Sequence, residues 1–275
     1  MGALLHLGAA IDQPGVYDAG AYAELARLAE RGGLDFVSVD GGFAGPGLDT
    51  AGVLARLAPE TGRIGLVPAL TVPAREADAV TVLDWVSGGR AGVLAADAVL
   101  GGRAAGHPVV LVDATGRPAR VAAARYADVA LVRAVSAAQA AELRGQLAAL
   151  AAEHGRDPRD LRVLASLRID LGDGERAAEP GHGGGGPRPT PQGPLYRGGP
   201  VDLAELIAVW HAEGAVDGFH FVPVEPRRDL ERLVNGTVAV LQHRGLFRTF
   251  YPGATLREHL GLALPVAVSY AGSVG

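Results

Sequence analysis

The chain has 275 residues, of which 48% are hydrophobic and 5% aromatic, and it carries a formal net charge of −5. This length suits one large α/β domain, and the mild negative charge argues against nucleic acid or an anionic membrane as a partner. There is no Cys and all 25 basic residues are Arg, which excludes thiol nucleophiles, disulfides, Schiff-base chemistry and the lysine of a phosphate loop.

Apolar runs alternate with helical patterns from the first residues onward. Runs typical of buried parallel strands occupy residues 4–11, 34–39, 64–72, 91–96, 107–112, 128–132, 161–171 and 216–224. Patterns of helical spacing and capping predict helices over residues 21–31, 50–61, 74–87, 117–127, 137–154, 202–212 and 227–244. Residues 1–10 lack a basic leader region and no apolar run reaches the ~18 residues of a membrane span, so we expect a cytoplasmic protein.

Eight strand–helix alternations predict a closed (β/α)₈ TIM barrel, as a single α/β domain over residues 1–275. An open doubly wound sheet is the alternative. That fold normally carries a G-x-G-x-x-G phosphate fingerprint after its first strand, and none follows residue 11. The sequence therefore favours the barrel.

Two segments interrupt the alternation. Residues 98–106 are too few for an ordinary parallel crossover, which needs about 10–12 residues or more, so we predict a truncated fourth β/α crossover. Residues 173–200 contain four consecutive glycines and several prolines, which predicts a disordered, flexible loop after strand seven. This loop is either a linker without a role or a lid over the mouth of the barrel.

Polar residues stand near the carboxyl ends of the predicted strands, which meet at one mouth in a barrel. They are Asp40, Thr71, Asp97, Thr115 and His220. Each can also be a helix cap or a turn residue. Residues 113–116, which end at Gly116 ahead of a helix, can cradle a phosphate with backbone N–H groups. The eight histidines are scattered, so we predict no metal site.

Several segments resemble the luciferase-like flavin monooxygenases, in the branch of the nitrilotriacetate and dibenzothiophene-sulfone monooxygenases. They are LDWVSGGRAG at 83–92, AARYAD at 123–128, DGFHFVP at 217–223, LQHRGLFRT at 241–249 and TLREHLG at 255–261. The resemblance covers most of the chain except residues 173–200. It implies a (β/α)₈ barrel that uses reduced FMN from a separate flavin reductase, or a deazaflavin in some relatives, together with dioxygen and a small organic substrate.

The resemblance also implies roles for single residues. Asp40 and Thr71 take positions beside the flavin ring, and Thr115 and Gly116 take the position of a phosphate-contacting loop. We assign Asp97, which follows the fourth strand, to the cofactor as well. We expect Asp113 to weaken phosphate binding, with Arg117 as the nearest cation. We assign His6 and His220 to the substrate and leave the catalytic residues unassigned.

A second interpretation stays open beside the monooxygenase. The chain has Leu94 where the family carries a flavin-contacting asparagine, and its segment after strand four is short. These differences favour a shortened, non-catalytic paralogue that acts as a flavin- or ligand-binding protein or as a partner subunit. Under either interpretation a homodimer is compatible with the sequence.

Overall fold

The chain folds around a closed parallel β-barrel. A computed structural model describes residues 4–13, 18–40, 49–70, 73–95, 108–172 and 186–263. Its strands are β1 His6–Ala10, β2 Phe36–Val39, β3 Gly65–Leu70, β4 Gly92–Ala95, β5 Val109–Asp113, β6 Val129–Val132, β7 Arg162–Asp170, β8 Leu195–Arg197 and β9 Gly218–Pro223. Strands β1 to β7 pair in order, and β9 pairs with both β7 and β1, which closes a ring of eight. The predicted (β/α)₈ barrel is confirmed.

Helices follow the strands around the outside of the barrel. They are α1 Ala19–Arg31, α2 Thr50–Leu57, α3 Pro73–Ser87, α4 Arg117–Tyr126, α5 Ala137–Glu153, α6 Pro200–Ala212, α7 Pro226–Arg232, α8 Ala239–His243 and α9 Leu256–His259. A π-helical turn, Leu233–Val238, joins α7 to α8, so the predicted helix over 227–244 is one helical stretch with a π segment. Among the described residues, none of the helices has the length and apolar composition that a membrane crossing requires.

The region after β7 differs from the prediction of a wholly disordered loop. Residues 195–197 form β8, which pairs in parallel with residues 168–170 of β7. Arg188 and Leu195 exchange two backbone hydrogen bonds of 2.9 and 2.8 Å, and the Tyr196 side chain is buried. That prediction is therefore wrong for residues 195–197. Strand β7 extends beyond the end of β6, so its edge there has free hydrogen-bonding groups, and β8 pairs with them. Residues 173–185 lie outside the described residues.

The predicted truncated crossover after the fourth strand also falls outside the described residues, which are interrupted at 96–107. On either side of this interruption, β4 and β5 pair in parallel from Gly92 with Val109 to Ala95 with Val112. The truncation stays a prediction.

Side chains alternate between the inside and the outside of the barrel, as the two-residue period of a strand requires. Inside, a cluster of buried apolar residues fills the half nearest the strand starts and includes Phe36, Val67, Leu111 and Leu164. Outside, alternate residues such as Leu7, Val37, Ala165 and Phe219 pack against the helices. The barrel core is therefore solid at the amino-terminal end, which leaves the carboxyl end for a site.

Helix α9 closes the amino-terminal end of the barrel. Leu256 of α9 and Leu260, which directly follows the helix, are fully buried in the interior cluster. Cβ atoms placed on Gly65 or Gly92 would lie 2.7 or 3.0 Å from Leu256. Glycine is needed at these two strand starts because the helix approaches so closely. A capping box between Thr255 and Glu258 starts the helix.

A buried ion pair ties this closure to the second strand. Arg248 donates from Nη1 to Asp35 Oδ1 at 2.7 Å and from Nη2 to the Gly33 carbonyl at 2.7 Å. The backbone N–H of Leu7 donates to Asp35 Oδ2 at 2.7 Å, and His6 Nδ1 lies 3.3 Å from Oδ1. Burial alone would raise the pKa of Asp35, but Arg248 and His6 outweigh burial and lower the pKa. The carboxylate is thus charged and held on several sides.

The arginine of the GGRAG segment has a structural position. Arg90 is buried, and its guanidinium donates to the carbonyls of Ser87, Ile64, Ala58 and Thr61 at 2.8, 2.9, 2.8 and 3.2 Å. These carbonyls lie at the ends of α2 and α3 and beside the start of β3, where a helix leaves C=O groups without partners. Arg90 therefore joins the helix ends to the barrel.

Candidate functional site

The mouth of the barrel is formed where its parallel strands end, and charged residues surround it. Asp12 follows β1, Asp40 follows β2, Asp113 ends β5, Arg133 follows β6 and Asp170 ends β7. Because all barrel strands run in the same direction, these positions share one end of the molecule. Asp40 is the member of this set that the sequence predicted at the mouth, and its role there stays a prediction.

The β1 and β2 ends are linked by a carboxylate. The backbone N–H of Asp40 donates to both oxygens of Asp12 at 3.2 Å, and Asp12 is only 4% exposed. Asp40 itself is exposed at the mouth. Asp12 therefore holds the backbone at the end of β2, where Asp40 lies.

The turn between β5 and α4 is organised around Asp113. Its Oδ1 accepts hydrogen bonds from the backbone N–H of Thr115 at 3.1 Å and from the Thr115 hydroxyl. Its Oδ2 accepts from Arg133 Nη2 at 2.7 Å, and Arg120 donates to the Thr115 carbonyl at 2.9 Å. The expectation that Arg117 is the nearest cation to Asp113 is wrong, because Arg133, which follows the neighbouring strand, already pairs with it.

Gly116 caps α4 with an extended backbone, φ −91° and ψ 159°. The first-turn N–H groups of Arg117 and Ala119 have no intrahelical acceptor, and no side chain in the described part of the chain caps this helix. The positive end of the helix dipole adds to them. The α4 start therefore presents hydrogen-bond donors where the sequence predicts that Thr115 and Gly116 contact a phosphate, and that contact stays a prediction.

His220 lies inside the barrel on β9, between Phe219 and Phe221, which both face outward. Its Nε2 is 2.8 Å from the Ser38 hydroxyl, and its ring stacks on Phe36 with centroids 5.7 Å apart. Its Nδ1 is buried and has no hydrogen-bond partner among the described residues.

Burial lowers the pKa of His220 to about 4, although Asp40 and Asp113 oppose the shift. The ring is therefore neutral near pH 7, with one nitrogen protonated and the other an acceptor. Asp40 and Asp113 therefore lie close enough to His220 to act on its charge, while the cofactor role predicted for Asp40 and the substrate role predicted for His220 stay predictions.

The β7 side of the mouth is rich in arginine. Asp170 accepts hydrogen bonds from Arg228 Nη2 at 2.7 Å and from Arg197 Nε at 2.9 Å. Arg168 lies two residues before Asp170, on the interior face that it shares with Leu164. It is partly buried, and its guanidinium meets no acceptor in the described part of the chain.

The remaining sequence-predicted residues divide into two groups. Thr71 and Asp97 lie outside the described residues. His6 is at the start of β1, where it neighbours Gly218 at the start of β9, and its ring points to Asp35. The expectation that His6 faces the substrate is wrong, because a strand's first residue lies at the end of the barrel opposite the mouth.

Sequence reasoning missed Asp12, Ser38, Arg133 and Arg168. Asp12 and Arg133 directly follow strands, so the rule that selected Asp40 also selects them. Ser38 and Arg168 lie within strands, and the alternation of inward and outward residues along each strand identifies them once the barrel is known.

No protein-family model matches the chain. Nitrilotriacetate monooxygenase component A of Aminobacter aminovorans is 46% identical over 68 residues, which are 25% of this chain and 15% of the relative. Dibenzothiophene-sulfone monooxygenase of Rhodococcus erythropolis is 40% identical over 72 residues, 26% of this chain and 16% of the relative. A pristinamycin IIA synthase subunit of Streptomyces pristinaespiralis is 27% identical over 225 residues, 58% of this chain and 52% of the relative. The matches thus span from about a sixth to about half of the relatives' length.

Solved structures share the fold over nearly the whole chain. EDTA monooxygenase from Chelativorans sp. BNC1 superposes with a TM-score of 0.76 at 17% identity and covers 95% of this chain and 99% of its own. A riboflavin lyase with modified FMN and riboflavin gives 0.74 at 17% identity, over 95% and 97%. An F420-dependent secondary alcohol dehydrogenase with an F420–acetone adduct gives 0.64 at 12% identity, over 86% and 99%.

Proposed function

We propose that this chain, which belongs to the luciferase-like monooxygenase family, binds a flavin across the mouth of its barrel and uses it to oxygenate a small organic substrate. The observation that carries the proposal is the mouth itself, where Asp40, His220 and the α4 start face one opening. Reduced FMN delivered by a separate flavin reductase is the proposed cofactor. A deazaflavin is the alternative, because an F420-dependent enzyme shares the fold.

The residues at the mouth fit a flavin phosphate at the α4 start. The first turn offers free backbone N–H groups and the exposed side chain of Arg117. Asp113 would repel a phosphate if it were bare, but Arg133 and the two groups of Thr115 already neutralise and orient it. An anion at Gly116 therefore meets donors rather than an unpaired carboxylate.

The residues deeper in the mouth fit an uncharged, polar ring. His220 stays neutral, so it places no positive charge under a ligand and offers one nitrogen as donor or acceptor. Its Nε2 is fixed by Ser38, which leaves Nδ1 with the opposite role. When bound, a reduced flavin supplies the electrons with which dioxygen is activated. The apolar cluster around Phe36 excludes water from below.

Leu94 is the observation that favours the second interpretation, a shortened, non-catalytic paralogue. This side chain faces the barrel interior and packs against the cluster that contains Val67 and Leu111, so it offers no hydrogen bond to a flavin. A chain that binds flavin but does not oxygenate a substrate would be a binding protein or a partner subunit.

The proposed surface for a homodimer is the outer face of α3. It exposes Val82, Trp85 and Val86, and Trp85 is 84% exposed.

Flavin titration tests the proposal. We expect the chain to quench FMN fluorescence at micromolar FMN. Replacing Arg117 with Gln should weaken FMN binding roughly two- to fivefold at low salt and less at high salt, because an exposed charge is screened by ions. Riboflavin, which lacks the phosphate, should bind equally to both proteins. Arg125→Gln, an exposed arginine at the other end of α4, is the matched control.

Two outcomes would contradict this assignment. Equal losses of FMN and riboflavin affinity in Arg117→Gln would place the phosphate elsewhere. Failure of FMN, riboflavin and a deazaflavin to bind at all would contradict the proposal of a flavin-dependent enzyme.

A different outcome bears on the second interpretation. Flavin binding without consumption of dioxygen in the presence of reduced FMN and candidate substrates would favour the non-catalytic interpretation.

A further inference from the structure

Arg168 lies among arginines that have carboxylate partners. Arg133 pairs with Asp113, and both Arg197 and Arg228 pair with Asp170. Arg168 has no carboxylate and no carbonyl on its guanidinium in the described ranges, although it is partly buried. A guanidinium removed from water normally has a partner, because burying a charge alone is costly.

The backbone fixes Arg168 at the mouth. Its N–H donates to the Pro194 carbonyl at 2.9 Å, and its Cα neighbours are Leu195 on β8 and Val222 on β9. Two residues earlier, Ser166 faces the same interior and neighbours His220. The two residues paired directly with Arg168 are therefore uncharged, and the next acid along β7, Asp170, is already shared by Arg197 and Arg228.

We infer that Arg168 binds a carboxylate of the acceptor substrate. The planar guanidinium fork matches a carboxylate or another oxyanion and makes two parallel hydrogen bonds with it. This inference rests on the proposed function, in which the flavin contacts Asp40 after β2, His220 on β9 and the α4 start after β5. Strand β7 pairs with β9, and Arg168 lies two residues beyond Ser166, the neighbour of His220. A ligand on Arg168 therefore lies beside the proposed position of the flavin ring, where an acceptor substrate has to be to react.

An oxyanion on Arg168 has two sources, a carboxylated substrate and the flavin phosphate. The test therefore uses two arms on the full chain. In the first arm, calorimetry measures binding of succinate, benzoate and nitrilotriacetate, with succinamide and benzamide as uncharged matches. In the second arm, fluorescence quenching measures FMN and riboflavin.

Arg168→Gln should weaken binding of the carboxylates roughly 10- to 100-fold, as expected for loss of hydrogen bonds to a charged group. Arg168→Lys, which keeps the charge but not the fork, should lie between. Arg31→Gln, which removes the same charge from the exposed end of α1, should bind like the original protein. The amides and the two flavins should bind Arg168→Gln and the original protein with equal affinity. Because Arg168 has no partner to lose within the described ranges, the melting temperature of Arg168→Gln should not fall.

The two arms separate the possible failures. If none of the three carboxylates binds, or if they bind Arg168→Gln equally well, the inference is overturned while intact flavin binding preserves the proposed function. If FMN weakens and riboflavin does not, the anion is the flavin phosphate and the substrate assignment is overturned. If carboxylates depend on Arg168 but no flavin binds, the anion site stands and the proposed function fails.

Discussion

At the scale of single residues, the mouth combines charges that are paired with a histidine that is kept neutral. Asp113 is held by Arg133 and Asp170 by Arg228, so the carboxylates do not repel one another across the opening. His220 lies below them, with Ser38 on one nitrogen and Phe36 against its ring. Its neutrality follows from burial, which outweighs the attraction of nearby carboxylates for a proton.

The neutral state of His220 predicts a pH dependence of stability. Its pKa is about 4 in the folded chain and 6.5 ordinarily, so the unfolded chain binds a proton first as the pH falls. The stability due to neutral His220 is present above pH 6.5 and is lost between pH 6.5 and about 4. Between pH 7 and pH 5 the original protein should therefore lose about 2 kcal/mol more free energy of unfolding than His220→Gln.

Urea denaturation of both proteins at the two pH values measures this difference. His243→Gln changes an exposed histidine and should keep the pH dependence of the original protein. Parallel losses in the original protein and His220→Gln would show that His220 is not kept neutral by the fold.

At the scale of elements, helix α9 closes one end of the barrel although it has only four residues. An isolated helix of this length is unstable in water, so it depends on the capping box and on the burial of Leu256 and Leu260. Its position against Gly65 and Gly92 fills the amino-terminal end of the barrel. The C-terminal segments that carry the family resemblance thus support the fold, at the end opposite the mouth.

Leu256→Ala should lower the free energy of unfolding by about 3 kcal/mol, because it removes a fully buried side chain between strands that cannot close the gap. Chemical denaturation measures the change. Leu4→Ala removes the same atoms from a side chain that is 47% exposed, so its effect should stay below about 1 kcal/mol. Equal effects of the two substitutions would mean that α9 does not plug the barrel.

At the scale of the whole molecule, Arg248 connects the last part of the chain to the first two strands. It donates to Asp35 and Gly33, and it lies over the rings of Phe247 and Tyr251 at 5.2 and 4.9 Å. The pairing of β9 with β1 closes the ring of strands. The Arg248 contact reinforces this closure by joining the last part of the chain to the residues before β2.

Arg248→Gln should cost about 3–5 kcal/mol in free energy of unfolding, because it leaves the Asp35 carboxylate buried without its main cation. Thermal or urea denaturation at pH 7 measures the loss. Arg56→Gln, at an exposed position on α2, is the control and should change stability little. A loss for Arg248→Gln as small as that of the control would show that the pair contributes little to closure.

The sequence by itself determined the order of the eight strands that close the barrel. Buried parallel strands require apolar runs such as residues 64–72 and 128–132, and the observed β3 and β6 lie within them. The Ser136 cap is also local, since its hydroxyl accepts from Gln139 three residues later at 3.2 Å. Such features depend on neighbours in the chain, so they can be inferred before the fold is known.

Only the tertiary structure decided which polar residues meet. The Ser38 contact with His220 joins positions 182 residues apart, and the pairing of Arg133 with Asp113 depends on two strands lying side by side. His6 lies at the end opposite the mouth because β1 runs from His6 toward the mouth. Residues 195–197 form a strand because they pair with the free edge of β7. Local patterns cannot reveal such contacts, because the register of the strands brings these residues together.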